Sequence, residues 1–497
     1  MKNKVAIIGS GFSGLSAACY LAAAGFEVEV FEKNAQFGGR ARQFTTEGGF
    51  RFDMGPSWYW MPDVMVDFFR DFDLRVDDYY TLTPLNPQFE MVFARDSVCV
   101  PSGMDELRML FEEIEPGAGQ KFDRFMEAAR FKYEVGMKDF VTKPCHSWWE
   151  FVDLKIVKSA IKLNLLTDFR SYVRQYFKDP RLVALMEFPV IFLGAAPKDI
   201  PAMYSLMNYG GYGLGTWYPE GGFVQVVEAM VKVAKNLGVR FHANRPVRRI
   251  LLEDGRASGI VLDDETVYCD KVVGSADYQH VESLLPKDLQ NYLPTYWQQR
   301  TFAPSCLIFY LGFNTQIDGL KHHTLFFEHE LEGHVADIYS HKKWPEKPLF
   351  YVCCPSKTDS QVAPAGCENV FLLMPIATGL EDGDAVREHY FQQMMTRLEK
   401  HTGRKGLAQH IIYKRSYCVQ DFMQDYNAYQ GNAYGLANTL KQTAVWKPSI
   451  RNKKVKNLFY TGQLTVPGPG VPPAIISGKI VAQEIINYKE FGYEKIV

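Results

Sequence analysis

Three glycines carry the first sign of chemistry. They stand in the run Gly9-Ser10-Gly11-Phe12-Ser13-Gly14, directly after the apolar stretch Val5-Ala6-Ile7-Ile8. In this spacing the first glycine permits a tight turn, the second lets backbone approach a pyrophosphate, and the third lets the next helix lie close on the strand. Phe12 and Ser13 fall in the first turn of that helix, whose N–H groups face the phosphates. Glu32 closes a second apolar run, Val28-Glu29-Val30-Phe31. A carboxylate there accepts hydrogen bonds from ribose hydroxyls and repels a 2′-phosphate. A glycine turn alone could be a tight bend with no ligand. Strand, turn, helix, strand and acid within about 30 residues make it a dinucleotide site.

A second loop follows, Gln36-Phe37-Gly38-Gly39-Arg40. Two glycines and an arginine just beyond the acid suit a second closure over a pyrophosphate, with the guanidinium neutralising phosphate charge. The plainer alternative for Arg40 is a solvated surface charge. Phe52-Asp53-Met54-Gly55-Pro56 comes next; alone it reads as a turn before a helix.

With these motifs the chain resembles the superfamily of FAD-dependent amine oxidases and carotenoid desaturases. The resemblance implies FAD as the cofactor. It implies that Met54 and Gly55 return toward the flavin ring, and that backbone near Val247 meets the adenine. It also implies that the block from Gly462 to Val471 closes the site, with a helix N-terminus pointing at charge on the ring. Many members carry an acid after the glycine matching Gly462; here Gln463 stands there, as carotenoid desaturases commonly lack the acid. No cysteine follows Cys418, which excludes the C-terminal covalent flavin link of some amine oxidases.

The elements that must position these residues are legible in outline. A helix is expected from about Phe12 to Ala24, stopped by Gly25. A helical stretch runs from Val224 to Leu237, and Val239–His242 reads as a strand. Further strands start at Pro246-Val247 and run to about Tyr268, broken by turns at Asp254-Gly255 and Asp263-Asp264. Lys271–Asp277 reads as a buried strand ending in a polar turn. Asn457–Gly462 is another strand, and a helix follows over Ala474–Tyr488, with Pro472-Pro473 in its first turn. The expected fold is α/β: a discontinuous Rossmann-like FAD-binding domain from 1–75, 215–281 and 451–497, with a mixed α+β substrate domain from 76–214 and 282–450.

Composition narrows the function. The chain has 497 residues, 47% of them hydrophobic, with a formal charge of −2. That is folded and multidomain in size, and it excludes nucleic acid as the main partner. The nine cysteines form no C-x-x-C pair and read as reduced, buried thiols of the cytoplasm, with no metal-ligand spacing. His322-His323 read as surface or packing residues. Glycines at the dinucleotide spacing argue against a signal peptide at Lys2–Gly25. No apolar run reaches the roughly 18 residues of a membrane span.

Two further blocks sharpen the resemblance: Phe188–Pro197 leading through Pro201–Leu206 to Trp217–Gly222, and Pro467-Gly468-Pro469-Gly470-Val471-Pro472. This order is similar to the bacterial-type phytoene desaturases over nearly the whole chain. It implies a hydrophobic C40 substrate, most simply phytoene desaturated toward lycopene. Hydride would leave carbon for the flavin, and a neighbouring proton would follow. Quinone or oxygen would take the electrons. A content of 35 Phe, 27 Tyr and 8 Trp suits an apolar tunnel, as it suits any core. The alternatives are a later carotenoid 3,4-desaturase, a carotenoid isomerase, an amine oxidase and a non-enzymatic prenyl-protein escort. In 148–166, Lys155, Lys158 and Lys162 form one helical stripe opposite an apolar one. This suits peripheral docking on the cytoplasmic membrane, or packing on its own domain. Asp153, on the apolar side, is a weak candidate for proton acceptor, with a buried ion pair as the alternative.

Overall fold

The computed structural model describes residues 3–151, 163–165, 167–191 and 193–487. Five parallel strands form its first sheet, in the order Leu458–Tyr460, Lys271–Gly274, Lys4–Ile8, Glu27–Phe31, Arg240–His242. Ile7 pairs with Val30 on one side and Val273 on the other. Strands covered on both faces read as unbroken apolar runs, which is why Val5–Ile8 does not alternate. Val5, Ile7, Val28, Val30 and Val273 join a core shared with the helices Phe12–Ala23, Val224–Asn236 and Val471–Ile486. Ala6, Ile8, Phe31 and Val272 face the opposite way, onto Ile250 and Ile260 of a three-stranded antiparallel meander. The sheet is therefore α/β, with helices on one face and the meander on the other.

Local chemistry sets the ends of these elements. Gly25 takes a φ of +90° after the first helix. Its N–H donates to the Ala22 carbonyl at 2.9 Å, and that of Phe26 to Leu21 at 3.1 Å. This paired closure satisfies carbonyls that the helix leaves free, and it needs a left-handed residue at that point. The meander turns at Asp254 and Gly255, with φ of 49° and 72°, as a two-residue hairpin requires. Two boundaries differ from the expectation. The strand after Val247 begins at Arg249, because Pro246 has no N–H for a ladder. The last helix begins at Val471 rather than Ala474, and Pro472 and Pro473 stand inside its first turn as expected.

The second sheet has seven strands, in the order Ile411–Tyr417, Ser305–Phe313, Glu368–Ile376, Phe350–Cys353, His323–Phe326, Phe89–Val92, Ser97–Val100. All neighbours are antiparallel except His323–Phe326 with Phe89–Val92. Side chains alternate across it. Leu307, Phe309, Leu311, Leu372 and Met374 pack on Met394, Met395 and Leu398 of the helix Asp384–Thr402. Cys306, Ile308, Leu373 and Pro375 point the other way and line a cavity.

Candidate active site

The cavity has a volume of about 520 Å³ and runs from the first glycine turn to the seven-stranded sheet. At one end lie Gly9, Gly11, Phe12, Ser13, Glu32, Gly38, Gly39 and Arg40, with Met54, Gly55, Val247, Gly462 and Val471. Gly14 alone of the sequence-predicted set stands behind the wall.

Each glycine has its own reason. Gly9 turns at a φ of +98°. A side chain at Gly14 would overlap the Gly9 carbonyl and come within 2.7 Å of the Ser275 hydroxyl, so the helix can lie on the strand only without one. A side chain at Gly11 meets no protein atom within 4 Å; it points into the cavity, where a ligand would be. Gly38 has a φ of +110°, and a side chain there would come within 2.8 Å of Val227. Its N–H donates to the Ser10 carbonyl and hydroxyl at 3.1 and 3.2 Å, which ties the second loop to the first. Gly55 lies against the Arg40 carbonyl, and Met54 hydrogen-bonds Arg42 at 2.8 Å.

Glu32 is buried and fully held. One oxygen accepts from the Ser10 N–H and hydroxyl at 3.1 and 2.7 Å, the other from the Asn34 N–H and amide at 3.0 Å each. Four donors, two on each oxygen, occupy its lone-pair sites and fix its direction at the cavity wall. Val247 is buried in a loop rather than a strand, beside Pro246 and Arg248 at the same end.

Arg40 is enclosed rather than solvated. Its Nη2 donates to the Asn432 carbonyl at 3.1 Å, its guanidinium lies over Tyr426, and its Nε has no hydrogen-bond partner. Burial pushes the guanidinium down from its ordinary value, with Asp277 opposing. Asp277 is pushed up by burial, with Arg40 opposing, and it accepts from Asn432 at 3.2 Å. A buried donor left unmade costs about 1–3 kcal/mol. A phosphate in the cavity would meet the part of the guanidinium that lines it, not this enclosed Nε. Asp277 was not singled out in the sequence; its position after the strand Lys271–Gly274, like that of Glu32 after its own strand, was the available signal.

Two helix N-termini meet here. The helices Phe12–Ala23 and Val471–Ile486 cross so closely that a side chain at Gly478 would come within 2.6 Å of the Ser16 Cβ. Ser16 donates to the Ile475 carbonyl at 2.7 Å across the crossing. Gly462, with a φ of +116°, donates its N–H to the Ser477 hydroxyl oxygen at 3.0 Å. Both positive helix ends thus face one volume, which favours anionic groups. Gln463, in place of an acid, donates to Asn432 at 3.2 Å. The Arg40 guanidinium on the cavity wall, the open space at Gly11 and these paired helix ends fit a dinucleotide.

The other end of the cavity is apolar. Phe188, Ile191, Leu193, Ala195 and Met207 come from the block highlighted by the resemblance; Leu325, Leu349 and Leu373 come from the sheet region. Trp58 forms part of the wall, edge-on to Trp60 at 5.3 Å. His334 also lines it, but both ring nitrogens are engaged, with the Pro375 carbonyl at 2.7 Å and the Leu349 N–H at 2.8 Å. Asp153, Lys155, Lys158 and Lys162 lie outside the described residues. All nine cysteines are free; six are buried, but Cys99 is exposed and Cys145 and Cys367 are half-buried. His322 and His323 are buried, not on the surface. Among the described residues no helix is long and apolar enough to cross a membrane.

Residues 12–486 match the family described as flavin containing amine oxidoreductase. A carotenoid 3,4-desaturase of Haloarcula japonica is 40% identical over 97% of this chain and 98% of its own. A zeta-carotene-forming phytoene desaturase of Myxococcus xanthus is 30% identical over 98% and 94%. Among solved structures, an oxidoreductase of Methanosarcina mazei superposes with a TM-score of 0.60 at 17% identity, over 97% of this chain and all of that one.

Proposed function

The chain belongs to the flavin-containing amine oxidoreductase family and is an FAD-dependent oxidoreductase, and from that premise we propose that it desaturates a long acyclic carotenoid. The observation that carries this reading is the single cavity that joins the dinucleotide end to an apolar chamber. The FAD domain is assigned to 1–75, 215–281 and 451–497 and the substrate domain to 76–214 and 282–450. Glu32, held at the cavity wall by Ser10 and Asn34, serves the ribose where a hydroxyl takes the place of one of these donors, and Arg40 serves the pyrophosphate.

Bound FAD supplies the two-electron acceptor for hydride leaving carbon. The chain supplies position. The chamber holds a polyene by apolar contact and keeps water from the charge left on carbon. That charge is allylic and spread over the chain. It makes the adjacent C–H strongly acidic, so a weak base completes the double bond, with Asp153 the candidate from the sequence.

Identity to the Haloarcula japonica protein exceeds that to the Myxococcus xanthus one, which favours the 3,4-step over the conversion of phytoene toward lycopene. Purified flavoprotein incubated separately with phytoene and with lycopene, with quinone or oxygen as acceptor, tests both. Loss of two hydrogens per new double bond from lycopene is expected. Conversion of phytoene alone overturns the 3,4-step; conversion of neither overturns the desaturase.

Entry from a bilayer completes the proposal. Trp149, on the apolar side of 148–166 in the sequence pattern, is 80% exposed, and an exposed indole suits a membrane interface. The triple change Lys155→Glu, Lys158→Glu and Lys162→Glu should abolish sedimentation with anionic liposomes. Unchanged binding removes the membrane contact at this stripe.

A further inference from the structure

We propose that His322, His323 and Cys353 form a buried zinc site one layer behind the chamber wall. His323 opens one strand and Cys353 ends its antiparallel neighbour, and the register sets them directly opposite each other. Opposed residues of an antiparallel pair project to the same face. His322 stands beside His323, and one ligand atom from each of the three side chains lies within 4.8 Å of the other two. All three residues are more than nine-tenths buried.

The hydrogen bonds decide which atoms are free. His323 Nδ1 meets the Tyr351 hydroxyl at 2.7 Å. That hydroxyl donates to the Ser57 Oγ at 3.0 Å, so it accepts from His323. Nδ1 of His323 therefore bears the hydrogen, and Nε2 carries a lone pair. His322 Nδ1 meets the Thr358 hydroxyl at 2.7 Å. Neither Nε2 has a hydrogen-bond partner. An imidazole held through one nitrogen with the other bare is the arrangement of a metal ligand. The ring of His323 is also fixed by Trp58, stacked at 4.1 Å.

Charge and space agree with a divalent ion. A small cavity of about 20 Å³ touches His322, Cys353 and Asp53 but not His323, so it gives room for one ion or water beside two of the three ligands. Zinc binding converts the Cys353 thiol to a thiolate, with its proton released to solvent. Two neutral imidazoles, one thiolate and the Asp53 carboxylate nearby offset a charge of +2. Nitrogen and sulfur donors select zinc over the hard cations. The ion would pin the strands His323–Phe326 and Phe350–Cys353 where Ser57, Trp58 and Tyr351 build the wall. The site is sealed, so it loads as the chain folds.

The test is metal content of the holoprotein expressed in zinc-supplemented medium and cleared of loose metal by a chelating resin. About one zinc per chain is expected, with an X-ray absorption spectrum showing one sulfur and at least two imidazole neighbours. Cys353→Ser and His322→Asn should each lower zinc retention by about tenfold or more while flavin content shows that the chain still folds. Wild-type protein free of zinc, copper in its place, or a spectrum without sulfur overturns the site. The absorption spectrum decides the matter even if neither variant folds.

Discussion

The Gly11 Cα lies 3.2 Å from where a side chain on Gly39 would begin, so the two glycine turns stack back to back. Both faces of this stack are backbone, and Gly11 presents its other side to the cavity. Gly11→Ala adds a methyl group into ligand space and displaces nothing in the protein. Gly14→Ala drives one into the Gly9 carbonyl. The two changes should therefore separate. Gly11→Ala should leave apoprotein melting within about 0.5 kcal/mol of wild type and lose bound flavin. Gly14→Ala should destabilise the apoprotein itself by about 1–3 kcal/mol. Calorimetry of the apoproteins, with flavin absorbance per chain, checks both; equal apoprotein losses would refute the assignment.

Arg40 carries the next expectation. Its guanidinium lines the cavity and also faces Asp277 and Asn432, so the charge serves both ligand and fold. Arg40→Met should also destabilise the apoprotein, because it removes the hydrogen bond to Asn432 and leaves Asp277 buried without its counter-charge. FAD affinity should fall by about 10- to 100-fold, the worth of one charge-assisted hydrogen bond of 1.5–3 kcal/mol. Fluorescence titration of apoprotein with FAD measures this. An unchanged dissociation constant would place the phosphate elsewhere.

What was legible in the sequence follows from distance along the chain. Gly11 and Glu32 answer to contacts within one supersecondary unit, as does the clash of Gly14 with the Gly9 carbonyl, so their spacing carries the geometry, while the Ser275 contacts of Gly9 and Gly14 come from another segment. Gly38 is partly legible, because its partner Ser10 is local, while its clash with Val227 comes from another segment. Asp277, the chamber wall and the opposition of His323 to Cys353 depend on strand pairing between remote segments. The apolar pattern marks such strands as buried without saying which face meets a cavity. Ser305–Phe313 is buried at every position, yet only Cys306 and Ile308 reach the cavity.

The chamber makes its own prediction. Leu373 lines it from the centre of the seven-stranded sheet. Leu373→Trp adds an indole to the volume a polyene would occupy, on the side of the sheet away from the Met394 core. Flavin content should stay at wild-type level while carotenoid conversion falls about 5- to 150-fold, as overpacking worth about 1–3 kcal/mol would produce. Product analysis by chromatography decides it. Full turnover in this variant would mean that substrate lies elsewhere.

Acid stability should depend on Glu29. Burial alone raises its carboxyl, but hydrogen bonds from Arg240, Lys4 and His242 outweigh this and bring it to about 2, against a usual 4.5. A folded value below the unfolded one means that the fold prefers the ionised form. The stabilisation is present in full above about 4.5 and is lost as pH falls toward 2. Glu29→Gln should lower the melting temperature at pH near neutrality, and the gap from wild type should close over that window. A gap that stays constant with pH would show that Glu29 acts through packing instead.

The helix crossing yields a final expectation, because it joins stability to the cofactor. A side chain at Gly478 would lie within 2.6 Å of the Ser16 Cβ and 2.8 Å of the Ala17 nitrogen. Helix backbone cannot yield to one methyl group without moving the whole of Val471–Ile486. That movement carries Val471, the Ser477 bond to Gly462 and the positive helix end away from the cavity. Gly478→Ala should therefore cost about 1–3 kcal/mol of stability and weaken FAD binding in the same variant, although Gly478 does not line the cavity. Excess FAD should restore part of the melting temperature, since a ligand that binds only the folded state stabilises it by mass action. Reduced stability with undiminished FAD affinity would show that the crossing holds the helices together without aiming them.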